Sequence, residues 1–296
     1  MSLSFKDKLP ITVLIAAKNE APNLPKCFDS LKLVEKVFVI DSYSSDSTVE
    51  IATSYGAEVV QFHYKGGYPK KRQWALDNLD IRTPWVFLID ADEVVPDMLW
   101  DEIKSIISER NTADAYMVKK GFHFLGKKMK FGGFSFEAVL LFKTRKAKFE
   151  RLVEDDLTGF DMEVHERVIV EGTISKLKTP LIHEDFKDLE AYISRHNIYS
   201  TWKAKVRYQL LMNRGYGKET IRPRLFGNSQ ERHRWLDRMV YRLPFEHWVF
   251  FFYHYFFRLG FLEGYRGLIA CQIRSDYVAQ VRAKVYELQK KKLSDN

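Results

Sequence analysis

The 296-residue sequence predicts an α/β fold: a mostly parallel sheet with helices on both faces, followed by a helical C-terminal region. Three observations support this prediction. Short apolar runs rich in β-branched and aromatic residues alternate with helical segments at even spacing. The first, second and fourth of these runs are followed by acidic or amide residues. After residue 186 the pattern changes to longer helical segments rich in Tyr, Arg and Lys. We therefore expect two domains, residues 1–186 and 187–296.

The first four apolar runs are predicted to be parallel strands joined by helices, at residues 11–17, 36–40, 58–61 and 85–89. Pro22 suits the first turn of the first helix, and Lys70 to Leu76 opens the third. An amphipathic helix is predicted over residues 96–109. The strand that begins at Ala115 is expected to start a second sheet region, and residues 138–142 form another strand.

Polar side chains follow the predicted strands where ligands bind to parallel sheets, beyond the carboxyl ends. They are Lys18-Asn19-Glu20, Asp41, the helix start Lys70-Lys71-Arg72, and Asp90, Asp92 and Glu93. Clustered carboxylates resist burial unless a cation lies among them. Mg²⁺ and Mn²⁺ prefer such oxygen ligands and share them with phosphates. The alternative is a strand end that turns into solvent, with Glu93 and Asp97 favouring the next helix N-terminus.

A nucleotide with a diphosphate suits these groups together. An acid at a strand end can accept hydrogen bonds from a base or a ribose, and a helix start with Lys71 and Arg72 can meet phosphate charge. The sequence lacks G-x-x-x-x-G-K-[ST], and it lacks G-x-G-x-x-G after the first strand. These absences argue against P-loop NTPases and dinucleotide-dependent dehydrogenases.

Charge and cysteine content narrow the class further. The net charge is +8, and residues 187–296 hold 21 Lys and Arg against 10 Asp and Glu. Such an excess indicates a polyanionic partner, either nucleic acid or an anionic membrane surface. Cys27 and Cys271 are the only cysteines, which excludes a disulfide framework and a Cys-based metal site. The N-terminus lacks the apolar run of a signal peptide, so a cytoplasmic location is expected.

The motifs Val13-Leu14-Ile15-Ala16-Ala17-Lys18-Asn19-Glu20, Val39-Ile40-Asp41-Ser42 and Leu88-Ile89-Asp90-Ala91-Asp92-Glu93 resemble family 2 glycosyltransferases of the GT-A (Rossmann-like) fold. They are most similar to the bacterial branch that adds sugars to the lipopolysaccharide core and other cell-surface glycans. The resemblance implies that Asp41 faces the base, Asp90 the ribose or diphosphate, and Lys71 or Arg72 the diphosphate. It also implies nucleotide contacts from Asn19 and Glu20. Tyr43 stands where the family usually has glycine.

The same resemblance implies the metal ligands and the catalytic base. Asp92, with Asp90 and His183, would hold Mg²⁺ or Mn²⁺, although a lone histidine such as His183 is often structural. Glu137 follows a Gly-Gly-aromatic stretch and would line the acceptor site; alternatively it is the polar start of an edge strand. Glu166, in the motif Val164-His165-Glu166, is a second candidate for the base, with His165 orienting it or simply buried.

Residues 243–258 are intensely aromatic but are interrupted by Glu246, His247, His254 and Arg258, so they do not form a predicted transmembrane span. Aromatic residues with basic neighbours suit a helix at the membrane interface, on the cytoplasmic face of the inner membrane. The alternative is an aromatic helix packed under the catalytic domain or into a homo-oligomer. Nucleic acid is not expected, because no nucleic-acid-binding module is recognisable.

The expected function is therefore an inverting, metal-dependent transfer of a sugar from a nucleoside-diphosphate sugar, with UDP the expected nucleotide. The acceptor would be a hydroxyl of a lipid-linked or lipopolysaccharide-type glycan. Inversion follows from the resemblance alone. Two alternatives remain: a sugar-phosphate nucleotidyltransferase, which has a similar sheet but needs a Gly-rich phosphate loop that is missing here, and a non-catalytic membrane-binding protein.

Overall fold

The computed structural model describes residues 8–109, 112–152, 161, 163, 166–183, 188–213, 220–241 and 243–294. The strands are β1 Leu9–Ala17, β2 Val34–Asp41, β3 Glu58–Gln61, β4 Trp85–Asp90, β5 Glu93–Val94, β6 Ala115–Lys120, β7 His123–Phe124, β8 Lys127–Lys128, β9 Phe136–Lys143, β10 Ala147–Phe149, β11 Val168–Val170, β12 Ile174–Lys176 and β13 Ile182–His183. The α-helices are α1 Leu24–Asp29, α2 Thr48–Ser54, α3 Lys71–Asn78, α4 Asp97–Ser108, α5 Leu189–Asn213, α6 Ser229–Val240, α7 Glu246–Phe252 and α8 Tyr265–Ser294.

A seven-stranded sheet forms the centre of the protein, in the order β12-β6-β9-β4-β1-β2-β3. Strands β1 to β4 are parallel, as the sequence predicts, and β9 runs antiparallel to both of its neighbours, β4 and β6. β12 pairs in parallel with β6. The mostly parallel α/β sheet is therefore confirmed.

The prediction that a second sheet region starts at Ala115 is wrong. The strand that begins there, β6, joins the same sheet through β9, which adds to the free edge of β4. The added strands bury more of β4, whose residues from Trp85 to Ile89 are all buried. A strand covered in this way on both faces shows the continuous apolar run seen in the sequence.

The helices around β1 to β3 follow from the handedness of parallel connections. Right-handed crossovers place α1 and α2 on one face and α3, which returns the chain past β1, on the other. The contacts agree, because Phe28 of α1 stacks on Tyr55 just after α2, with ring centroids 5.0 Å apart. Ala75 of α3 is buried in the sheet core. The core of this region also includes Trp100 and Ile103 of α4.

The C-terminal region is helical. Helices α5 and α8 pack along each other, and Val281 and Val285 of α8 are buried against Ala204 of α5. Between α7 and α8 lie a π-helix, Tyr253–Phe257, and a short 3₁₀-helix, Gly260–Glu263. No helix among the described residues combines the length and apolar composition needed to cross a membrane.

Helix α6 joins this region to the sheet region. Its Arg234 is buried and forms an ion pair with the buried Glu150. Its first residue, Ser229, donates a hydrogen bond to Met117 of β6. The predicted domain boundary at residues 186 and 187 lies outside the described residues.

Candidate functional site

The order of the strands creates a crevice at one edge of the sheet. The chain goes from β1 to β2 and β3 on one side, then returns to β4 on the other, so the strand order reverses between β1 and β4. Asp41 of β2 lies opposite Ala17, and Asp90 of β4 lies opposite Ala16. The two acids therefore flank the end of β1, at the same edge of the sheet.

Asp90 is the centre of a cluster of charges at this edge. Its carboxylate forms an ion pair with Arg72 of α3, and the amine of Lys120 lies 2.7 Å from its other oxygen. The same amine lies 2.6 Å from Glu93, whose carboxylate also accepts a hydrogen bond from the Asp90 amide. Lys120 reaches this position because β6 ends at the same edge as β4. The acids are thus neutralised by two internal cations.

Burial and charge act in opposite directions on this cluster. Burial opposes the ionisation of Asp90, but the charges of Arg72 and Lys120 hold the pKa of that carboxyl below its usual range. Burial raises the pKa of the Glu93 carboxyl, and the nearby charge of Asp90 adds to the effect. Burial would lower the pKa of the Lys120 amine, but the two acids raise it. A buried lysine that keeps its proton holds Asp90 and Glu93 together.

Asp92 and His183 lie beside the cluster and are partly exposed, as is Asp90, whose side chain is 26% exposed. Nδ1 of His183 lies 3.5 Å from the Asp92 carboxylate, and the two side chains are 22% and 17% exposed. His183 is brought there by strand β13, which pairs with β5 so that His183 is opposite Glu93. Burial lowers the pKa of this imidazole, but the hydrogen bond and charge of Asp92 raise it overall. Asp92 thus attracts a positive charge to this position.

The donors at this position fit a divalent metal completed by substrate. Among the described residues, no group of three or more His, Cys, Asp or Glu side chains is arranged to hold a metal ion. A carboxylate and an imidazole within 3.5 Å of each other nevertheless supply two ligands, and Mg²⁺ commonly takes one or two protein ligands plus phosphate oxygens and water. Asp90, the third ligand expected from the sequence, is already engaged by Arg72 and Lys120.

Lys71, which the sequence assigns to the diphosphate, is buried and already has partners. Its amine donates to the carbonyl of Ala17 and lies 3.1 Å from Asp161. Asp161 also accepts a hydrogen bond from Ser42, just beyond β2. Burial lowers the pKa of the Lys71 amine. Lys71 therefore connects the ends of β1 and β2, and its contact with a diphosphate stays a prediction.

The N-terminus of α3 is also occupied. The amides of Arg72 and Gln73 donate hydrogen bonds of 3.1 and 3.0 Å to the carboxylate of Glu163. A carboxylate at this place satisfies unpaired helical N–H groups and the helix dipole. The helix end is thus closed to a phosphate, and the side chain of Arg72 extends from it to Asp90.

Asp41 organises the turn after β2. It is fully buried, and its carboxylate accepts hydrogen bonds from the amide and hydroxyl of Ser44. The Ser44 hydroxyl in turn accepts a hydrogen bond of 2.8 Å from the amide of Asn19, and the Asn19 side chain accepts one from Ser45. Asp41 therefore holds the turns after β1 and β2 together, and the base contact expected of it stays a prediction.

The residues that project from these two turns are Asn19, Glu20 and Tyr43. The amide of Glu20 donates a hydrogen bond to the Thr48 hydroxyl, and its carboxylate accepts one from the Asn23 side chain, so Glu20 fixes the start of α1. Asn19 and Tyr43 both have a positive φ, of 56° and 54°. Tyr43 is 62% exposed, and its ring meets the ring of His63 edge-on at 5.9 Å. A left-handed backbone is unfavourable for tyrosine, and such residues concentrate at functional sites.

Glu137 is not brought to the Asp90 cluster. It lies opposite Lys119 of β6, whereas the next residue, Lys120, supplies the amine that reaches Asp90. Successive side chains of a strand point to opposite faces, so Glu137 and the Lys120 amine lie on different faces of the sheet. Lys176 of β12 lies 2.5 Å from the Glu137 carboxylate. The catalytic role expected of Glu137 stays a prediction, but its position does not favour it.

Glu166 is enclosed. Its side chain is 5% exposed and forms a 2.9 Å ion pair with Lys70, whose amine lies 4.2 Å from the centre of the Trp202 ring. A hydroxyl of an acceptor does not reach a carboxylate in this position without displacing these groups. The role of Glu166 as base also stays a prediction, and His165 lies outside the described residues.

Sequence reasoning missed the two residues that complete the charge cluster, Lys120 and Glu93. Glu93 is part of the acidic motif, but the role that the sequence suggests for it is to favour the N-terminus of the next helix. Lys120 lies two residues after an apolar run, Ala115–Val118, and it is the last residue of its strand, as Asp90 is of β4. A charged residue at the carboxyl end of a buried strand is the signal that would have identified it. Asp161 and Glu163 gave no such signal, because their partners come from distant segments.

A family model covers most of the residues at this edge. The model of glycosyl transferase family 2 matches residues 12–161, which contain most of β1, all of β2 to β4, and the charged cluster, but not His183. The chain belongs to glycosyl transferase family 2. The resemblance inferred from its three motifs is thereby confirmed.

Relatives extend the similarity beyond the family 2 domain. The chain is 26% identical to the lipopolysaccharide core biosynthesis glycosyltransferase LpsC of Rhizobium meliloti, over 95% of this chain and 93% of that protein. An uncharacterized glycosyltransferase of Rickettsia conorii is 30% identical, over 69% of this chain and 72% of that protein. The similarity to LpsC includes the C-terminal helical region, and it confirms the resemblance to the lipopolysaccharide-core branch.

Similarity to solved structures is more limited. The glucosyl-3-phosphoglycerate synthase of Mycobacterium tuberculosis, solved in complex with Mn²⁺, UDP and glucosyl-3-phosphoglycerate, is 24% identical over 37% of this chain and 43% of that chain, with a TM-score of 0.30. TarS of S. aureus, solved over residues 1–349, is 13% identical over 96% of this chain and 92% of that chain, with a TM-score of 0.40. Neither likeness is close enough to transfer a ligand to this family 2 chain.

Proposed function

We propose that this family 2 glycosyltransferase is a metal-dependent, inverting enzyme that moves a sugar from a nucleoside-diphosphate sugar to a hydroxyl of a lipid-linked glycan. UDP is the nucleotide proposed. The observation that carries the proposal is the pair Asp92 and His183, which lies partly open beside the charged cluster at the strand ends. A parallel sheet binds its ligand at this place.

Asp92 and His183 are the proposed metal ligands. A bound Mg²⁺ or Mn²⁺ would act there as a Lewis acid that neutralises the charge of the departing diphosphate. Asp90 is proposed to act through Arg72, because their ion pair holds the guanidinium at the edge where a diphosphate would lie. A guanidinium suits this role, since its fork of N–H groups matches phosphate oxygens.

The turns after β1 and β2 are the proposed nucleoside pocket. The buried Asp41 accepts a hydrogen bond from Ser44, and the Ser44 hydroxyl accepts one from the amide of Asn19. These hydrogen bonds fix the backbone of both turns. The exposed ring of Tyr43 offers a face on which a base can stack. Glycine at this position, as is usual in the family, would leave the pocket without this wall.

The general base is proposed from the carboxylates that the family resemblance indicates, Glu137 or Glu166. Glu137 is the more accessible, with 32% of its side chain exposed against 5% for Glu166. Burial opposes ionisation of Glu137, but Lys176 and Ser229 lower its pKa overall. Glu137→Gln and Glu166→Gln test the two candidates singly. If both variants keep their turnover at saturating donor, neither carboxylate is the base.

A lipid-linked or lipopolysaccharide-type glycan is the proposed acceptor, and the cytoplasmic face of the inner membrane is the proposed location. Support comes from the similarity to LpsC, whose name places that protein in lipopolysaccharide core biosynthesis. The excess of basic residues after residue 186 suits an anionic membrane surface. A homo-oligomer is compatible with this proposal, and nucleic acid is not proposed as a partner.

Thermal-shift measurements with a panel of nucleotide sugars, each with and without Mg²⁺ or Mn²⁺, test the proposed donor. We expect one nucleoside-diphosphate sugar to raise the melting temperature, and the rise to need metal. Product analysis with a sugar phosphate and a nucleoside triphosphate separates transfer from nucleotidyl transfer. Formation of a sugar nucleotide in that reaction would contradict the proposed function.

A further inference from the structure

Residues 246–266 reverse the usual distribution of side chains. The two acids of this segment, Glu246 and Glu263, are buried, while most of its large apolar side chains are exposed. Arg207 of α5 neutralises Glu246 at 2.5 Å. Charged side chains are almost never buried unless paired, and large exposed apolar patches mark interaction sites. The inversion therefore indicates a surface that is built to contact something apolar.

The exposed side chains form adjoining rows along α7 and the π-helix that follows it. Trp248, Phe252 and Phe256 make one row, with ring centroids 6.3 and 5.9 Å apart. Tyr253 and Phe257 make a second, at 6.4 Å. The 3₁₀-helix continues the exposed apolar area with Phe261 and Leu262. We call the exposed side chains of residues 248–262 the aromatic surface.

The exposed charges around the aromatic surface are positive. Within residues 246–266 both acids are buried, so Arg258 and Arg266 supply the exposed charge. The adjoining hairpin of β7 and β8 adds the exposed lysines Lys127 and Lys128, and the loop after it adds the exposed Lys130. Aromatic side chains favour the level of the lipid headgroups, and basic side chains favour anionic lipids. The charge and the chemistry of this area thus match a bilayer surface.

We propose that the aromatic surface inserts into the headgroup region of an anionic bilayer, and that this contact orders the loop of residues 130–134 that leads into β9. The proposal deepens the proposed function, since it identifies the part of the enzyme that meets its lipid-borne acceptor. A second copy of the chain is the alternative occupant of the same surface.

The loop of residues 130–134 is attached directly to the segment that carries the aromatic surface. Glu263 accepts hydrogen bonds from the amides of Lys130 and Phe131, at 2.6 and 2.9 Å. The amide of Gly132 donates a hydrogen bond of 2.8 Å to the carbonyl of Arg258. The carbonyl of Gly132 lies 2.6 Å from Nδ1 of His254. Three consecutive backbone positions are therefore held by the segment between the π-helix and α8.

The attachment is tight enough to transmit order. The guanidinium of Arg258 lies against Gly133, where an added Cβ would be 2.6 Å from Nε, and the φ of +68° at this position favours glycine. The ring of Phe134 stacks on His254 with centroids 5.7 Å apart. Strand β9 begins two residues later, at the edge of the sheet where the candidate site lies. Fixing the aromatic surface in a bilayer would thus fix the entry to β9.

Sedimentation of the full chain with vesicles tests the surface. The vesicles are phosphatidylcholine alone, or phosphatidylcholine with about one third phosphatidylglycerol. We expect binding to the anionic vesicles, and a loss of at least tenfold in the double variant Phe256→Ser, Phe257→Ser. Arg258→Gln together with Arg266→Gln should weaken binding by roughly fivefold per residue and reduce its salt dependence.

Phe226→Ser is the matched control, because Phe226 is 96% exposed but lies outside the aromatic surface. It should bind vesicles like the wild type. Melting temperatures of all variants show whether each one folds, and UDP titration shows whether the donor site is intact. Absence of vesicle binding by the wild type, or equal losses in the Phe226 control, would overturn the proposed surface.

Hydrogen exchange of the amides of residues 130–132 tests the coupling. Anionic vesicles should slow their exchange in the wild type, and Glu263→Gln should reduce this protection more than it reduces vesicle binding. Unchanged exchange in vesicle-bound enzyme would overturn the coupling. If the wild type is instead a dimer by light scattering and the Phe256, Phe257 variant a monomer, the occupant is a second copy. If vesicle binding is normal while UDP never binds, the proposed function fails and the surface stands.

Discussion

The carboxyl edge of the sheet and residues 246–266 differ in the kind of side chain that they expose. At the sheet edge, Asp92 and His183 remain partly exposed beside a cluster whose other charges are internally paired. In the C-terminal segment, Glu246 and Glu263 are buried and aromatic side chains face outward. One region thus offers polar ligands to solvent, and the other offers apolar area.

The difference supports the two proposed ligands, which differ in chemistry. A sugar nucleotide needs cationic and metal-binding groups, and these are the roles proposed for Arg72, Asp92 and His183. A lipid surface needs aromatic side chains with basic neighbours, which residues 248–266 supply. The sheet edge and residues 246–266 come together near the start of β9, because the loop before β9 is hydrogen-bonded to Glu263 and Arg258.

The largest expected effect concerns Asp92, the partly exposed acid proposed as a metal ligand. Asp92→Ala should abolish sugar transfer, a fall of about three orders of magnitude, because loss of a metal ligand removes several kcal/mol of charge stabilisation. Asp97→Ala is the control, since Asp97 is exposed in the first turn of α4. Transfer to an envelope glycan fraction is measured with radiolabelled donor. Turnover near that of the wild type in Asp92→Ala would remove Asp92 from the site.

The next effect concerns the internal cation of the same edge. Lys120→Met should lower the free energy of unfolding by about 3 kcal/mol, because it leaves the buried carboxylate of Glu93 without its cation and removes one of the two cations of Asp90. Lys119→Met changes the exposed neighbour on the same strand and should alter stability by less than about 0.5 kcal/mol. Urea unfolding at neutral pH measures both. Equal stabilities of the two variants would show that Lys120 does not hold the cluster together.

The C-terminal region should be the more sensitive of the two to mild acid. Burial lowers the pKa of both His196 and His254 to about 4. Both histidines face cations: Arg195 and Arg274 lie near His196, and Arg274 and Arg258 near His254. Since an unfolded histidine takes up its proton near pH 6.5, the stability contributed by these neutral rings is present above that pH. It is lost as the pH falls towards 4.

We expect a loss of about 2 kcal/mol between pH 7 and pH 5, after allowance for the partial exposure of both rings. Unfolding followed at several pH values measures it. The double variant His196→Gln, His254→Gln should be less stable at neutral pH but should depend less on pH. A pH dependence that is the same in this variant would assign the acid sensitivity to other groups.

The smallest effect distinguishes binding from stability at the sheet edge. Tyr43→Gly should raise the free energy of unfolding by about 0.5 kcal/mol, because glycine adopts the positive φ without strain. It should weaken UDP binding by about tenfold, the low end of the effect of losing one stacked base. Tyr43→Phe keeps the ring and should bind UDP as the wild type does. Unchanged affinity in Tyr43→Gly would exclude Tyr43 from the nucleoside pocket.

Local patterns predicted much of the fold. Buried strands such as β1 and β4 show as continuous apolar runs, and their carboxyl ends show as abrupt changes to Asn19 or Asp90. The parallel order of β1 to β4 follows from even spacing and right-handed connections. The pairing of β9 with β4 could not be predicted, because no local signal distinguishes an added strand from a separate sheet.

The sequence predicted which types of residue form the site better than it predicted which side chains pair with one another. Asp92 and His183 do meet, but Asp90 is engaged by Lys120, which comes from a strand two positions away in the sheet. Glu137 is separated from them by the alternation of side chains along β9, and this separation depends on register. Register and long-range ion pairs arise from tertiary structure, so reading the chain locally does not reveal them.

Titration of the enzyme with UDP, with and without Mn²⁺, tests most directly whether Asp92 and His183 hold a metal that binds the diphosphate. Calorimetry of the wild type, Asp92→Ala and His183→Ala gives the affinity in each condition. We predict that Mn²⁺ strengthens UDP binding to the wild type by at least tenfold and has little effect on either variant. If the three proteins bind UDP equally well, with no dependence on metal, Asp92 and His183 do not form the metal site.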